Sequence, residues 1–361
     1  MKKKSPFQRM IRLVGGTLLG VIGLIAAIGL YKFVLVANHI YDPDTFDNRL
    51  TTRPQTEAVR KGQPETLPSP AEHTTQPPNR AKRSGPDSPA KNLSIGHTSP
   101  DRESQAAQTI LLLGVDSREG ERARSDTIIL ATVPPAGGTI HLLSIPRDTY
   151  VPVRGHGYTK INHAMTYGGA KLLKQTVENF LGVKIDHTAT IDFEGFRQII
   201  DKLGGVDLTV EKTMNYDDPT DGTHIHLVKG QAIQNGAQAL DYARFRHDEE
   251  ADTGRMRRQQ ALLRAMMQKG GQPSQWGKLF ELTDIVGDHV KTDIPLGEMV
   301  RLFMAYGNIR SDQIQTLSLK GENKISPQDH LWYFYADPTQ VADVSRQLQQ
   351  LKRGMDTNGN G

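Results

Sequence analysis

The chain has 361 residues, 23% of them charged, with a formal net charge of +4 and no cysteine. That length allows one large core or two small ones. Without cysteine the protein builds no disulfides, and the positive balance points to anionic partners: lipid headgroups, phosphate polymers or nucleic acid. In chain order, Lys2, Lys3, Lys4, Arg9 and Arg12 precede an uncharged run over residues 13–31, and apolar character continues to residue 37. At 1.5 Å per residue such a run spans roughly the 30 Å hydrocarbon core of a bilayer. A cleaved signal peptide would have a shorter apolar core, and here the run continues through Ala26 and Ala27. Residues 1–12 are therefore expected to be a cytoplasmic basic end, and 13–37 an uncleaved single-pass membrane helix that leaves the rest outside the cell membrane. Gly16 and Gly20 form a GxxxG spacing, but glycine is common in membrane helices.

Residues 38–105 turn to Pro, Thr, Ser, Gln and scattered charge, the composition of a disordered extracytoplasmic linker, with a short helix expected over 42–50. As a flexible coil this linker would have an r.m.s. span of roughly 45 Å. A folded domain is expected over 106–353. Continuous apolar runs predict buried strands at 110–115 and 127–133, and the turn at 134–138 joins the latter to a strand at 139–145 in an antiparallel hairpin. Helical spacing predicts 168–181, stopped by Gly182, and 193–203, stopped by Gly204 and Gly205. A strand at 189–192 lies between them. Further strands are expected at 206–210 and 225–228, and a short helix at 235–242. After residue 264 the pattern reads helix at 276–290, helix at 295–306 and strand at 313–319, with a frayed tail over 354–361. Interleaved strands and helices together with hairpins predict an α/β fold, a mixed central β-sheet flanked by helices.

The densest chemistry lies between Tyr242 and Gln260, where Arg244, Arg246, Arg255, Arg257 and Arg258 crowd one segment. If 243–246 is extended, Arg244 and Arg246 share a face. If a helix begins near Thr253, Arg255 and Gln259 share a face with Leu262 and Met266, with Arg258 beside them. Guanidinium forks near a helix N-terminus suit a polyanion, although a charge run taken alone is more often a solvated surface. Upstream, Asp116 directly follows the first strand and Asp126 directly precedes the second, with Arg118 and Arg124 between. Paired carboxylates at one sheet edge suit a hard divalent cation such as Mg²⁺. Arg147 ends the third strand, where Pro146 stops the ladder, and Lys160 and Asn162 follow. Two acids and several cations converging from separate strand ends form the pattern of a phosphoryl-transfer site.

The strings LGVDSR (113–118), RSDT (124–127), SIPRD (144–148), KINHA (160–164), LGGV (203–206), ALDYARFR (239–246) and DTGRMRRQ (252–259) occur in the order of the signature blocks that the LytR-CpsA-Psr family shows. The resemblance covers residues 109–267, and the basic end with one membrane helix fits that family's layout. It implies a membrane-anchored extracytoplasmic phosphotransferase, in a Gram-positive bacterium. The enzyme would move a glycopolymer, such as a teichoic acid or capsule, from a polyprenyl-pyrophosphate carrier to a muramic or glucosamine hydroxyl of peptidoglycan. Carried over by motif, Asp116 and Asp126 would hold Mg²⁺ or Mn²⁺. Arg124, Arg147, Arg244, Arg246 and Arg255 would clamp the pyrophosphate, with Arg118, Lys160, Arg258 and Gln259 as further members. Asp126 and Asp252 are the candidate general bases. Asp148 and Asp241 read as structural partners of nearby arginines.

The carrier's tail needs an apolar channel, for which Val177, Phe180, Leu181, Phe196, Ile199 and Ile200 are candidates, although each looks like an ordinary core residue. His224 and His226 alternate on one strand without the third ligand of a zinc site, and His163 and His247 read as polar surface residues. No P-loop occurs, so nucleotide hydrolysis is not expected. Two other readings use the same residues: a non-catalytic polyprenyl-phosphate-binding module, and a pyrophosphate hydrolase in which water replaces the sugar hydroxyl. A DNA-binding regulator is not expected, because the segment before the membrane run is short for a DNA-reading element and the arginines are expected beyond the membrane, so no nucleic-acid partner is expected.

Overall fold

A computed structural model of the protein describes residues 34–35, 37–43, 106–116, 123–135, 137–219, 222–275 and 289–354. The expected cytoplasmic end, nearly all of the expected membrane helix, most of the linker, Arg118 and the tail from 355 lie outside the described residues. Among the described residues no helix is long and apolar enough to cross a membrane.

Strands β1 (Gln108–Asp116), β2 (Arg124–Val133) and β3 (Ile140–Ser144) form an antiparallel meander. The sheet grows parallel to β1 with β6 (His187–Asp192), whose far edge takes β9 (Val290–Thr292) antiparallel. On the other side β10 (Ile314–Leu317) runs parallel to β3, giving the order β10-β3-β2-β1-β6-β9. The period-2 alternation of β1 explains why helices cover both faces. Leu111, Leu113 and Val115 enter one core, while Ile110 and Leu112 enter another. The first core is closed by α1 (His163–Leu181), by the hairpin of β4 (Tyr150–Val153) and β5 (Gly157–Lys160), and by α6 (Pro338–Lys352). The opposite face carries α2 (Phe193–Leu203), α3 (Gly236–Arg244), α4 (Ala251–Gly271) and α5 (Leu296–Tyr306), with a second hairpin of β7 (Met214–Asp218) and β8 (Thr223–Leu227).

The helix ends follow from their caps. Asp192 accepts from the Gly195 amide at 2.8 Å at the start of α2, and Gly204 closes that helix in the left-handed region. Asn235 caps α3 through the Gln238 amide at 2.9 Å. The crossing of α2 with α3 needs Gly236, because a Cβ there would sit 2.1 Å from the Arg197 carbonyl oxygen.

Several expectations change. The expected helix at 168–181 begins at His163 and is kinked at Gly168 and Gly169. Residues 206–210 form no regular strand: the Leu208 N–H donates a hydrogen bond back to the Val206 carbonyl and bends the segment, leaving the Thr209–Ala232 bridge. Of the expected helix at 276–290, residues 276–288 lie outside the described residues and Val290 is already strand. The hairpin of β4 and β5, strand β7, the hairpin of β11 (Gly321–Ile325) and β12 (Trp332–Ala336), and α6 were not anticipated. Where the linker was expected to begin, the chain pairs with the sheet edge: Tyr41 bridges to Thr292 and the Asp42 amide donates to the Thr292 carbonyl at 2.8 Å.

Candidate active site

A cavity of about 780 Å³ lies between the second face of the sheet and α2, α3, α4 and the β7–β8 hairpin. At the strand ends its lining is ionic: Asp116, Arg124, Asp126, Arg147, Asp148, Lys160, Arg244, Arg246 and Arg255, with Asn162, His163 and Gln259. Deeper, Leu112, Ile129, Ile191, Phe196, Ile199, Ile225, Leu263 and Val290 make it apolar. One helix draws the same gradient. Arg255, Gln259, Leu262 and Met266 of α4 all line the cavity, over about 16 Å at 1.5 Å per residue. The buried bond from Gln260 Nε2 to Ser144 Oγ, 2.8 Å, holds α4 to β3 and fixes that stripe over the sheet.

The sheet edge places the acids. Register between β1 and β2 shifts at Gly114/Val115: Gly114 pairs with Thr127 and Val115 with Ser125, so Asp126 is the extra residue of a β-bulge. Bulges re-aim side chains, and this one brings Asp126 into the cavity. There Arg147 Nη1 donates to Asp126 Oδ1 at 2.5 Å. Asp148 accepts from Lys160 Nζ at 2.7 Å and stands 3.6 Å from Arg147 Nε. Arg255, with its side chain only 6% exposed, reaches Asp252 at 3.2 Å. Arg244 donates to Thr223 Oγ1 at 2.9 Å and lies over the Phe193 ring at 5.7 Å.

The electrostatics are uneven. Burial pulls the Arg147 guanidinium down, but Asp126, Asp148 and Asp252 outweigh that and hold its pKa above the ordinary value. For Asp148, burial pushes the carboxyl up, and Lys160, Arg147 and Arg255 bring it below the ordinary range. Arg255 goes the other way. Burial and the nearby Arg147 and Arg246 depress it against the opposing pull of Asp252 and Asp126. A buried guanidinium crowded by others is a site short of negative charge, which a phosphate group supplies. His163 is depressed by burial and by Lys160 and Arg124.

The structure brings together most of the residues expected from the sequence. Asp116, Asp126, Arg124, Arg147, Lys160, Arg244, Arg246, Arg255 and Gln259 all line one cavity. Arg244 ends a helix, so it does not share an extended face with Arg246. Arg258, expected among the pyrophosphate-binding cations, lies instead outside the lining. It is fully buried, donating to Asp248 at 3.0 Å and to the Phe245 carbonyl at 2.6 Å. Of the six channel candidates only Phe196 and Ile199 face the cavity. Val177, Phe180 and Leu181 belong to the core on the other side of the sheet, and Ile200 packs in the cluster around α3. His163, expected on the surface, lines the cavity, whereas His247 is exposed and stacks on Tyr216. His224 and His226 both bond Asp217. Sequence reasoning missed Phe193, Tyr216, Asp218 and Thr223 at the rim. Phe193 opens α2, which was predicted, whereas the only signal for Tyr216, Asp218 and Thr223 was the β7–β8 hairpin, of which just one strand was legible.

A family model described as the LytR_cpsA_psr family matches residues 71–350. The Bacillus licheniformis polyisoprenyl-teichoic acid–peptidoglycan teichoic acid transferase TagU is 34% identical over 244 residues, 67% of this chain and 77% of that protein. The crystal structure of Bacillus subtilis TagV superposes with a TM-score of 0.60 at 33% identity, covering 69% of this chain and 98% of that one. A TagT structure with bound octaprenyl pyrophosphate lipid matches with a TM-score of 0.54 at 28% identity, over 72% and 96% of the two chains.

Proposed function

The chain belongs to the LytR-CpsA-Psr family, and from that premise we propose that it is a glycopolymer–peptidoglycan phosphotransferase. It takes a polyprenyl-pyrophosphate-linked polymer of the teichoic acid kind and joins it to a peptidoglycan hydroxyl through a phosphodiester. The observation that carries this reading is the single cavity in which crowded arginines open directly onto an apolar interior. A pyrophosphate with a hydrocarbon tail has that polarity, and TagT, similar in fold and sequence, holds such a lipid.

In this reading Arg255, Arg147, Arg246, Arg244 and Arg124 take the pyrophosphate oxygens, with Lys160 and Gln259 beside them. A cation fits Asp116 and Asp126. Both carboxylates line the cavity, and Mg²⁺ or Mn²⁺ commonly takes one or two carboxylates plus phosphate oxygens and waters. A cluster of three ligating side chains, which the described residues do not contain, is therefore not required. Bound there, the ion would offset charge on the two phosphates. The acceptor oxygen forms a bond to the sugar-linked phosphorus while the bridging P–O bond breaks, and polyprenyl phosphate departs with the electron pair. The hydroxyl proton passes to a carboxylate. Asp126 and Asp252 are each bound by an arginine, so each becomes available as substrate phosphate draws Arg147 or Arg255 toward itself. Of these two candidate bases Asp126 lines the cavity, whereas Asp252 lies outside its lining and reaches the site through Arg255. The apolar run at 13–31 would anchor this chemistry to the outer face of the membrane.

The test uses the full chain in detergent with a synthetic polyprenyl-pyrophosphate oligosaccharide, peptidoglycan fragments and Mg²⁺. Release of polyprenyl phosphate with matching mass gain on the acceptor, lost in Arg147→Ala, is the expected result. Release without acceptor gain means hydrolysis; tight lipid binding with no turnover leaves a carrier-binding module.

A further inference from the structure

The cavity accounts for the donor. The second substrate must approach from outside with one hydroxyl reaching the ionic end, and the β4–β5 hairpin borders that end. In the register of this hairpin Tyr150 pairs with Lys160 and Pro152 with Tyr158, so these four side chains share its outward face, while Val151 and Val153 point into the core. Lys160 belongs to the cavity lining, and its Nζ lies 5.8 Å from the centroid of the Tyr333 ring. Tyr333 meets Tyr150 edge to face at 4.9 Å, and Tyr150 stacks on Tyr158 at 5.2 Å. Tyr335 closes on Tyr150 at 5.1 Å. A continuous path of rings therefore leads from a cavity residue to Tyr158, which is 63% exposed. The packed rings behind it hold that side chain in place, and an aromatic of this size left facing solvent on a rigid platform marks a binding surface.

We infer that this tyrosine platform of β4, β5 and β12 is the acceptor subsite, on which a peptidoglycan saccharide strand stacks while the hydroxyl to be modified reaches past Lys160. Pyranose rings present axial C–H patches that sit on aromatic faces, and their hydroxyls find partners in tyrosine O–H groups. Tyr333 is buried, and its bond to Asp329 at 2.5 Å fixes it as the backing of the platform. Charge favours the saccharide over the donor's own anionic polymer. Lys160, paired with Asp148 at 2.7 Å, lines the cavity and serves its pyrophosphate end, so it is not available to a polyphosphate chain lying along the tyrosines. Continuity with the ionic end gives the saccharide a route to the phosphorus.

This inference rests on the transferase reading, and its first arm needs no turnover. A soluble tetrasaccharide of the glucosamine–muramic acid repeat is titrated into the full chain in detergent by calorimetry. The wild type is expected to bind it, Tyr158→Ala to bind about tenfold more weakly, in line with the loss of one aromatic stack, and Tyr158→Trp to retain affinity. Because Tyr158 is exposed, unchanged thermal unfolding separates this from misfolding. Binding of polyprenyl pyrophosphate should be the same in all three. In turnover, Tyr158→Ala should raise KM for the acceptor and leave kcat unaltered. The inference is overturned if the tetrasaccharide does not bind, if Tyr158→Ala binds it as well as the wild type, or if a poly(glycerol phosphate) oligomer binds instead and loses affinity in that variant. Transfer that proceeds with an unchanged acceptor KM in Tyr158→Ala sinks the subsite and leaves the transferase standing. Saccharide binding without any transfer does the reverse.

Discussion

At the scale of single residues, arginines with similar neighbours in the sequence do opposite work. Arg147 and Arg255 face the cavity, where the proposed pyrophosphate sits, whereas Arg258 braces the loop at Phe245 and Asp248 from full burial. Arg147→Ala is expected to lower kcat by about 10²–10³-fold, the usual loss when one charge-stabilising donor is removed, with little change in unfolding midpoint. Arg258→Ala should do the converse. Asp248 keeps Lys212 at 2.7 Å, but the buried Phe245 carbonyl loses its partner and a cavity opens, which should cost about 1–3 kcal/mol, read by chemical denaturation. The sequence identified the arginine-rich segment but not this division of labour. Helical phase contains the signal. At about 100° per residue, Gln259, Leu262 and Met266 fall within about 40° of Arg255, while Arg258 lies about 60° off on the side away from Gln259. The stripe was legible, and Arg258 was placed beside it without a reason to separate the two. Asp126 was found from its position before a strand, but the bulge that turns it toward Arg147 depends on register with β1, which one strand cannot reveal.

At the scale of elements, the central strands and α2 could be read because their apolar periodicity is long and uninterrupted. The hairpin of β4 and β5 could not. Two four-residue strands, YVPV and GYTK, are too short to establish a period, and their stability comes from the packing of Val151 and Val153 into the core and of Tyr150 against Tyr333. The C-terminal helix α6 did carry a signal, since Asp337 caps it, Pro338 opens it and Val341, Val344 and Leu348 recur at helical spacing; it is also tied to the sheet by long-range contacts. Lys352 Nζ pairs with Asp186 at 2.7 Å, and Asp186 also accepts from the Thr109 amide at 2.8 Å. Burial pushes the Asp186 carboxyl up, but Lys352 and Thr109 outweigh it and hold its pKa below the ordinary value. The sign follows from linkage. The charged form is favoured in the native state, so this contribution is complete above the ordinary aspartate range of about 4 and disappears as pH falls through the lowered native value. Asp186→Asn should therefore lower stability at neutral pH and flatten the loss of stability below about pH 4, as measured by denaturant unfolding across pH.

At the scale of the whole molecule, the sheet separates two kinds of interior. One face is filled by α1, α6 and the β4–β5 hairpin; the other leaves a cavity under α2 and α4. Which apolar residues belong to which face depends on tertiary arrangement, so Val177 and Ile199 looked equivalent as sequence and lie on opposite sides. Ile199→Asp, which sets a carboxylate in the apolar half of the cavity, should weaken polyprenyl-pyrophosphate binding at least about tenfold through desolvation of that charge. Inhibition by inorganic pyrophosphate, which needs only the arginines, should be little changed.

In the proposed reaction the sugar-linked phosphorus moves from carrier to acceptor. This is tested by labelling the sugar-linked phosphorus of the donor with ³²P and following it through one turnover with a peptidoglycan acceptor. The label is expected in an acceptor-linked phosphodiester, with unlabelled polyprenyl phosphate released. Label that stays with the lipid, or that appears in free polymer phosphate with no acceptor product, would contradict the transfer.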